Sequence, residues 1–169
     1  MPAPTPPSID DARAAVGAGK LAEALGIADA LLCRNASDID ALEIRAIVHT
    51  RRGEHDAAEA ALRAAIAAAP ERRWHYADLS RLLASLGRRN EAEAVARSAL
   101  AADPDNPDAH AMLGNLLVER GAPVPGAAHL ARAIALVGDH PMLTGALGHA
   151  LLRQGKLDEA RPLLEATLA

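Results

Sequence analysis

Aromatic residues are nearly absent from this 169-residue chain. Trp74 and Tyr76 are the only two, phenylalanine does not occur, and aromatics make up 1% of the residues. Half of the residues are nonetheless hydrophobic, so alanine, leucine, isoleucine and valine must form the core. Alanine-rich segments of this kind favour helix. No alternating β-branched stretch indicates a strand, so the chain is predicted to be all-α.

Other scarcities exclude several classes of protein. Cys33 is the only cysteine, which rules out an internal disulfide and favours a small buried hydrophobe at that position. Lysine occurs only at Lys20 and Lys156, and the net charge is −4, so the clustered basic surface of a nucleic-acid-binding domain is missing. No apolar run is long enough to span a membrane. These features predict a cytoplasmic protein with neither nucleic acid nor membrane as a partner.

The opening residues 1–7 are rich in proline and do not have the pattern of a signal peptide. We interpret them as a disordered N-terminal tail. The preference for arginine over lysine, together with the high alanine content, suggests a bacterial source with a GC-rich genome.

Sequence motifs for catalysis or metal binding are also missing. The chain has no G-x-S-x-G, no phosphate-binding glycine loop and no H-E-x-x-H. The histidines form no i, i+4 pair, and no cysteine or histidine cluster has ligand spacing. They are His49, His55, His75, His110, His129, His140 and His149. We therefore predict a protein that is not an enzyme and binds no cofactor and no metal.

A period of about 34 residues, which is typical of helical repeat arrays, organises the chain. It is carried by the evenly spaced Gly19, Gly53, Gly87, Gly121 and Gly155. Only small residues occur seven positions before and five positions after these glycines, which predicts the close crossing of two helices. The columns are Ala12, Ala46, Ser80, Gly114 and Gly148, and Ala24, Ala58, Ala92, Gly126 and Ala160.

Local signals predict where the helices begin and end. Each periodic glycine should close the first helix of a pair in the left-handed conformation. Asp56 with Glu59, and Asn90 with Glu93, have the spacing of a capping box at the start of a second helix. Pro123 and Pro125 predict a shifted or shortened helix in the fourth repeat.

Several segments resemble tetratricopeptide repeats. They are Leu113-Gly114 with Gly121, Ala127 and Ala133-Ile134; Leu147-Gly148 with Gly155-Lys-Leu-Asp-Glu-Ala160; and Leu79 with Gly87, Glu91-Ala92, Ala99-Leu100 and Pro104. The resemblance implies a right-handed α-solenoid of five helix-turn-helix repeats within a single domain, residues 5–169. The repeats are 5–38, 39–72, 73–106, 107–140 and 141–169. The aromatic residues that the family places at its packing positions are mostly replaced here.

The resemblance also implies a function. In this family the first helix of each pair lines a concave groove that binds an extended peptide. Carried onto this chain, the groove residues are Arg13, Ile44, Ile47, Arg51, Trp74, Asp78, Arg81, Met112, Asn115, Glu119 and His149. Trp74 is either a binding anchor or partly buried between repeats. Chaperone-tail binding in its usual mode is rejected, because the two lysines fall just past the turn glycines.

Three interpretations of the whole chain follow. The first is a scaffold or adaptor that binds a peptide or protein segment in its groove. The second is the N-terminal, substrate-recruiting region of a larger bacterial enzyme such as a glycosyltransferase or sulfotransferase. A homodimer through the last helix is a third. Leu163, Leu164 and Leu168 are the predicted contact residues, either with a second chain or with a further domain of a longer protein.

The register of the repeat can be tested by overfilling one predicted crossing. Replacing Ala92 with leucine adds three carbon atoms where two helices are predicted to touch. We expect Ala92→Leu to cost roughly 1–3 kcal/mol of stability. Thermal unfolding followed by circular dichroism measures this, and an unchanged melting temperature would show that the register is wrong.

Overall fold

The computed structural model describes residues 7–167, and within that range the chain forms ten α-helices and no strand. They are α1 (Ile9–Gly17), α2 (Leu21–Arg34), α3 (Ile39–Arg52), α4 (His55–Ala68), α5 (Arg73–Ser85), α6 (Arg89–Ala102), α7 (Pro107–Glu119), α8 (Pro123–Val137), α9 (Pro141–Leu152) and α10 (Leu157–Ala166). The all-α prediction is confirmed. The predicted tail, residues 1–7, lies outside the described residues except for Pro7.

The period of the sequence is visible in the helix boundaries. Each second helix begins two residues after a periodic glycine, and each of these glycines has a positive φ, between 71° and 91°. An L-residue with a Cβ rarely adopts this conformation, which explains why glycine recurs. The first helices α3, α5, α7 and α9 begin at Ile39, Arg73, Pro107 and Pro141, again one full period apart.

Helix α1 is shorter than the period predicts. It begins at Ile9, whereas the spacing of the later first helices would place its start at residue 5. Ser8 fixes this start, because its hydroxyl accepts the backbone N–H of Asp11 and the Asp11 carboxylate accepts the backbone N–H of Ser8. This reciprocal capping box satisfies two amides that have no partner inside the helix. It also lowers the pKa of Asp11, since both the backbone and the hydroxyl of Ser8 donate to the carboxylate.

Three predictions about local structure are wrong. Helix α8 begins in register at Pro123 and has 15 residues, because proline is tolerated in a first turn, where the amides need no helical acceptor. Asp56 and Asn90 do not cap, since α4 and α6 each begin one residue before them. Cys33 is exposed on α2.

The crossing of helices at small residues is seen directly in two pairs. The Ser80 hydroxyl donates to the Ala92 carbonyl oxygen at 3.0 Å, joining α5 to α6. A Cβ placed on Gly126 would lie 2.8 Å from the carbonyl oxygen of Gly114, so α7 and α8 touch backbone to backbone. All ten residues of the two small columns are buried. The predicted crossing is confirmed at both pairs.

Residue contacts divide the helices into two compact units, one ending at His75 and the other beginning at Tyr76. One core cluster of the first is mostly alanine, with Ile44, Val48 and Val16 as its larger members. In the second, Leu113 and Leu117 pack on Ala96, and Leu130 packs between Ala127 and Ala150. Among the described helices, none has both the length and the apolar character needed to cross a membrane.

The Gly114–Gly126 contact predicts opposite effects for two glycine-to-alanine changes. In Gly126→Ala the new methyl would meet Val118 Cγ2 at 2.6 Å and a backbone oxygen at 2.8 Å. We expect this variant to lose about 1–3 kcal/mol of stability. Gly26 lies in α2, and outside the backbone of that helix no atom comes within 4 Å of the place a Cβ would take. Gly26→Ala should therefore gain roughly 0.5–1 kcal/mol.

Urea unfolding monitored by circular dichroism compares the two variants under the same conditions. Because alanine has a higher helix propensity than glycine in both helices, the difference between the two variants reports mainly the cost of the crossing. Equal stabilities would mean that α7 and α8 do not approach as closely as described.

Candidate functional site

Trp74 is held at the surface by two neighbouring side chains. It is the second residue of α5, and 46% of its surface is exposed. The Arg72 guanidinium carbon lies 5.3 Å from the centre of the indole ring, within the range of a cation–π contact. The His75 ring approaches edge-on at 5.6 Å between ring centres. The indole is thus restrained on one side while much of it stays open to solvent.

A shared carboxylate connects Trp74 to the earlier first helices. Asp40 Oδ1 accepts a hydrogen bond from Arg72 Nη1 at 3.3 Å and another from Arg13 Nη2 at 3.1 Å. Arg13 also pairs with Asp10 at 3.5 Å. Residues from α1, α3 and the segment before α5 therefore meet in one place. We call Arg13, Asp40, Arg72 and Trp74 the Trp74 surface.

The Trp74 surface retains unused hydrogen-bond donors. A guanidinium group carries five N–H donors, and the contact with Asp40 uses one from Arg13 and one from Arg72. The side chains of all three residues are between 32% and 52% exposed. Exposed ion pairs of this kind are worth about 0–1 kcal/mol. A carboxylate or carbonyl oxygen brought by a ligand can therefore bind here without breaking a strong contact.

The other predicted groove residues before Tyr76 have different environments. Ile44 is 3% exposed and belongs to the core, so it is left out of the surface proposed below. Ile47 is partly buried against the same core. Arg51 is exposed, and its Nη1 donates to the Val16 carbonyl oxygen at 2.9 Å near the end of α1. Of these three, only Arg51 presents polar donors to solvent.

The predicted residues after Tyr76 lie in the second unit. Asp78 and Arg81 form an exposed pair on α5 at 2.5 Å, and Glu119 accepts from Arg89 at 3.3 Å. Met112 is partly buried against its cluster, whereas Asn115 and His149 are exposed. Leu163 and Leu164 are partly buried on α10, and Leu168 lies outside the described residues. Their roles in binding stay predictions.

Arg72 is the residue that the sequence reasoning missed. It lies in the short segment before α5, whereas the candidates were drawn from first helices alone. Its position two residues before the only tryptophan is the signal that could have found it, because an arginine near an exposed indole commonly stacks on it.

Two histidines, His110 and His129, contact each other. His110 Nδ1 lies 2.9 Å from His129 Nδ1, and His110 Nε2 lies 3.0 Å from the Pro104 carbonyl oxygen and donates to it. Burial lowers the pKa of His129, and the nearby charges of His110 and Arg97 lower it further. Elsewhere too, the described residues contain no group of three or more metal-binding side chains.

Comparison with protein families decides the classification. Three tetratricopeptide repeat profiles match the chain: one over residues 9–72, another over 49–116 and 83–125, and a third over 141–166. The chain belongs to the tetratricopeptide repeat family. A comparison with curated protein sequences finds no match.

Solved tetratricopeptide repeat proteins share its fold. A thermophilic tetratricopeptide repeat protein from Thermus thermophilus is 24% identical, with a TM-score of 0.70 over 95% of this chain and 88% of its own. MamA from Desulfovibrio magneticus RS-1 is 16% identical, with a TM-score of 0.78 over 94% and 90%. YrrB, described as having an unusual peptide-binding site, is 18% identical, with a TM-score of 0.74 over 95% and 82%.

The stacking of Arg72 on Trp74 can be tested with the indole itself as the probe. Trp74 is the only tryptophan, so tryptophan fluorescence reports this site alone. We expect Arg72→Ala to raise the acrylamide quenching of Trp74 and to cost about 0.5–1 kcal/mol of stability. Arg81→Ala, an exposed change on the same helix, is the control. Equal quenching in both variants would show that Arg72 does not cover the ring.

Proposed function

We propose that this protein is a non-enzymatic scaffold that binds an extended peptide or protein segment on the exposed side of its first helices. The observation that carries the proposal is the Trp74 surface, where a half-exposed indole lies beside Arg72, and Asp40 joins Arg72 to Arg13. Membership of the tetratricopeptide repeat family supports an interaction role. The peptide-binding site described for YrrB, which has the same fold, supports a peptide as the ligand.

The chemistry of the Trp74 surface suggests the kind of segment it binds. Tryptophan is favoured as a binding anchor, because one rigid side chain supplies a large contact area. Arginine binds carboxylates and carbonyl oxygens through paired, charge-assisted hydrogen bonds. The proposed ligand therefore places an apolar side chain on the indole, with a carboxylate a few residues away against Arg13 or Arg72.

The contacts around Asp40 and Trp74 favour binding by a preformed surface. Arg13 and Arg72 are already oriented by Asp40, and Arg72 orients the indole in turn. Side chains that are ordered before binding lose less conformational entropy on complex formation. We propose a similar contact role, within the second unit, for Asp78, Arg81, Met112, Asn115, Glu119 and His149.

The arginine-rich, lysine-poor composition supports a bacterial protein, and the lone cysteine supports a cytoplasmic location.

A peptide library tests this function before any natural ligand has been identified. Random 12-residue peptides displayed on phage are selected on the immobilised protein, and enriched sequences are titrated against the free protein by Trp74 fluorescence. We expect enriched peptides to combine an apolar residue with a nearby acid. Trp74→Ala, followed by calorimetry, should weaken their binding by about 2 kcal/mol, or roughly thirtyfold in Kd.

Arg63→Ala is the matched control, because Arg63 is an exposed, ion-paired arginine on the second helix α4. It should leave the affinity unchanged, and both variants should keep the helicity of the parent. Peptides that bind Trp74→Ala as tightly as the parent protein would contradict the proposed site.

A further inference from the structure

A second surface, distinct from the Trp74 surface, lies on the last two helices. A shallow groove of about 280 Å³ is lined by Leu152, Leu157, Ala160, Arg161, Leu164 and Glu165. We call these residues the α9–α10 face. Leu152 is 42% exposed and Leu157 is 59% exposed, so large apolar side chains meet solvent here.

In the preceding repeat, the equivalent side of the second helix, α8, is covered by another helix. Leu130 of α8 stands one repeat before Leu164, at the equivalent position. It is fully buried and packs with Ala150 of α9. A helix therefore covers this side of α8, whereas the equivalent side of α10 is open among the described residues.

Two charges distinguish the α9–α10 face from its counterpart on α8. Arg161 and Glu165 occupy positions that are Ala127 and Ala131 in the preceding repeat. Both charged side chains are exposed. Within residues 7–167 neither forms an ion pair, although most arginines of the chain do. The groove thus has an apolar strip flanked by one unpaired positive charge and one unpaired negative charge.

We propose that the α9–α10 face binds the same face of a second copy of this chain. Two copies of α10 would pack antiparallel around a two-fold axis that passes near Leu163 and Leu164. An axis midway between residues 161 and 165 brings Arg161 opposite Glu165 of the partner subunit, and the reverse pair forms at the same time. The leucines of the two faces cover each other between these pairs.

Charge complementarity is the reason for choosing a second copy over an unrelated partner. A symmetric interface uses one patch twice, so the patch must complement itself. Opposite charges one helical turn apart, about 6 Å along the axis, meet this requirement in an antiparallel pair. A face with charges of one sign would repel its own copy.

Charge-reversal variants test this interface. Sedimentation velocity of the full chain, over a concentration series at low ionic strength, measures the dimer dissociation constant. Arg161→Glu places two acids opposite each other, and Glu165→Arg places two arginines opposite each other. We expect each to weaken the dimer at least about tenfold, since like charges now face each other. Arg34→Glu, with the same change in net charge as Arg161→Glu but on α2, should dimerise as the parent does.

Recombining the charges separates this interface from any other. The double variant Arg161→Glu/Glu165→Arg restores both pairs and should dimerise like the parent. An equimolar mixture of the two single variants should form a heterodimer, because one chain carries two acids and the other two arginines. Circular dichroism verifies that each variant keeps its helices.

A parent protein that stays monomeric at all concentrations would overturn the proposal. A dimer that tolerates both single reversals would also overturn it, by locating the interface elsewhere. Failure of the mixed single variants to associate, with their helicity intact, would contradict the antiparallel pairing of Arg161 with Glu165.

Discussion

Close contact between helices at small residues is the constraint on which the rest of this structure depends. The core contains no phenylalanine, and helices α7 and α8 approach until their backbones touch at Gly114 and Gly126. At the crossing of α5 and α6 the buried Ser80 hydroxyl donates to the Ala92 carbonyl oxygen, so this donor is not left unpaired. Dispersion contacts between alanines are individually small, and they stabilise the fold because many are made at close range.

The same spacing positions the candidate binding residues. Because the first helices α3, α5, α7 and α9 begin one full repeat apart, Asp40 and Trp74 occupy equivalent second positions in α3 and α5. The repeat therefore brings side chains that are distant in sequence to comparable places on successive helices. The ion pairs of Asp40 with Arg13 and Arg72 then order that surface.

The sequence predicted the periodic features well and the individual contacts poorly. A glycine with positive φ, or a small residue at a crossing, is required in every repeat, so it recurs and can be recognised. Other features do not recur from repeat to repeat, so an alignment of the repeats cannot reveal them. They are the position of Arg72, the burial of Ile44 and the exposure of Cys33. The prediction from Pro123 was wrong because proline disrupts the interior of a helix but is tolerated in its first turn. The two cases can be distinguished only when the first residue of the helix is known.

The most direct measurement of the central claim is a ¹⁵N NMR titration of the protein with a peptide that it binds. The account predicts that the Trp74 indole N–H and the backbone amides of Arg13 and Asp40 shift together. The amides of the buried residues Ala58 and Ala65 on α4 should keep their positions. Shifts concentrated on α2 and α4, with an unperturbed indole, would contradict the assignment of the binding surface to the first helices.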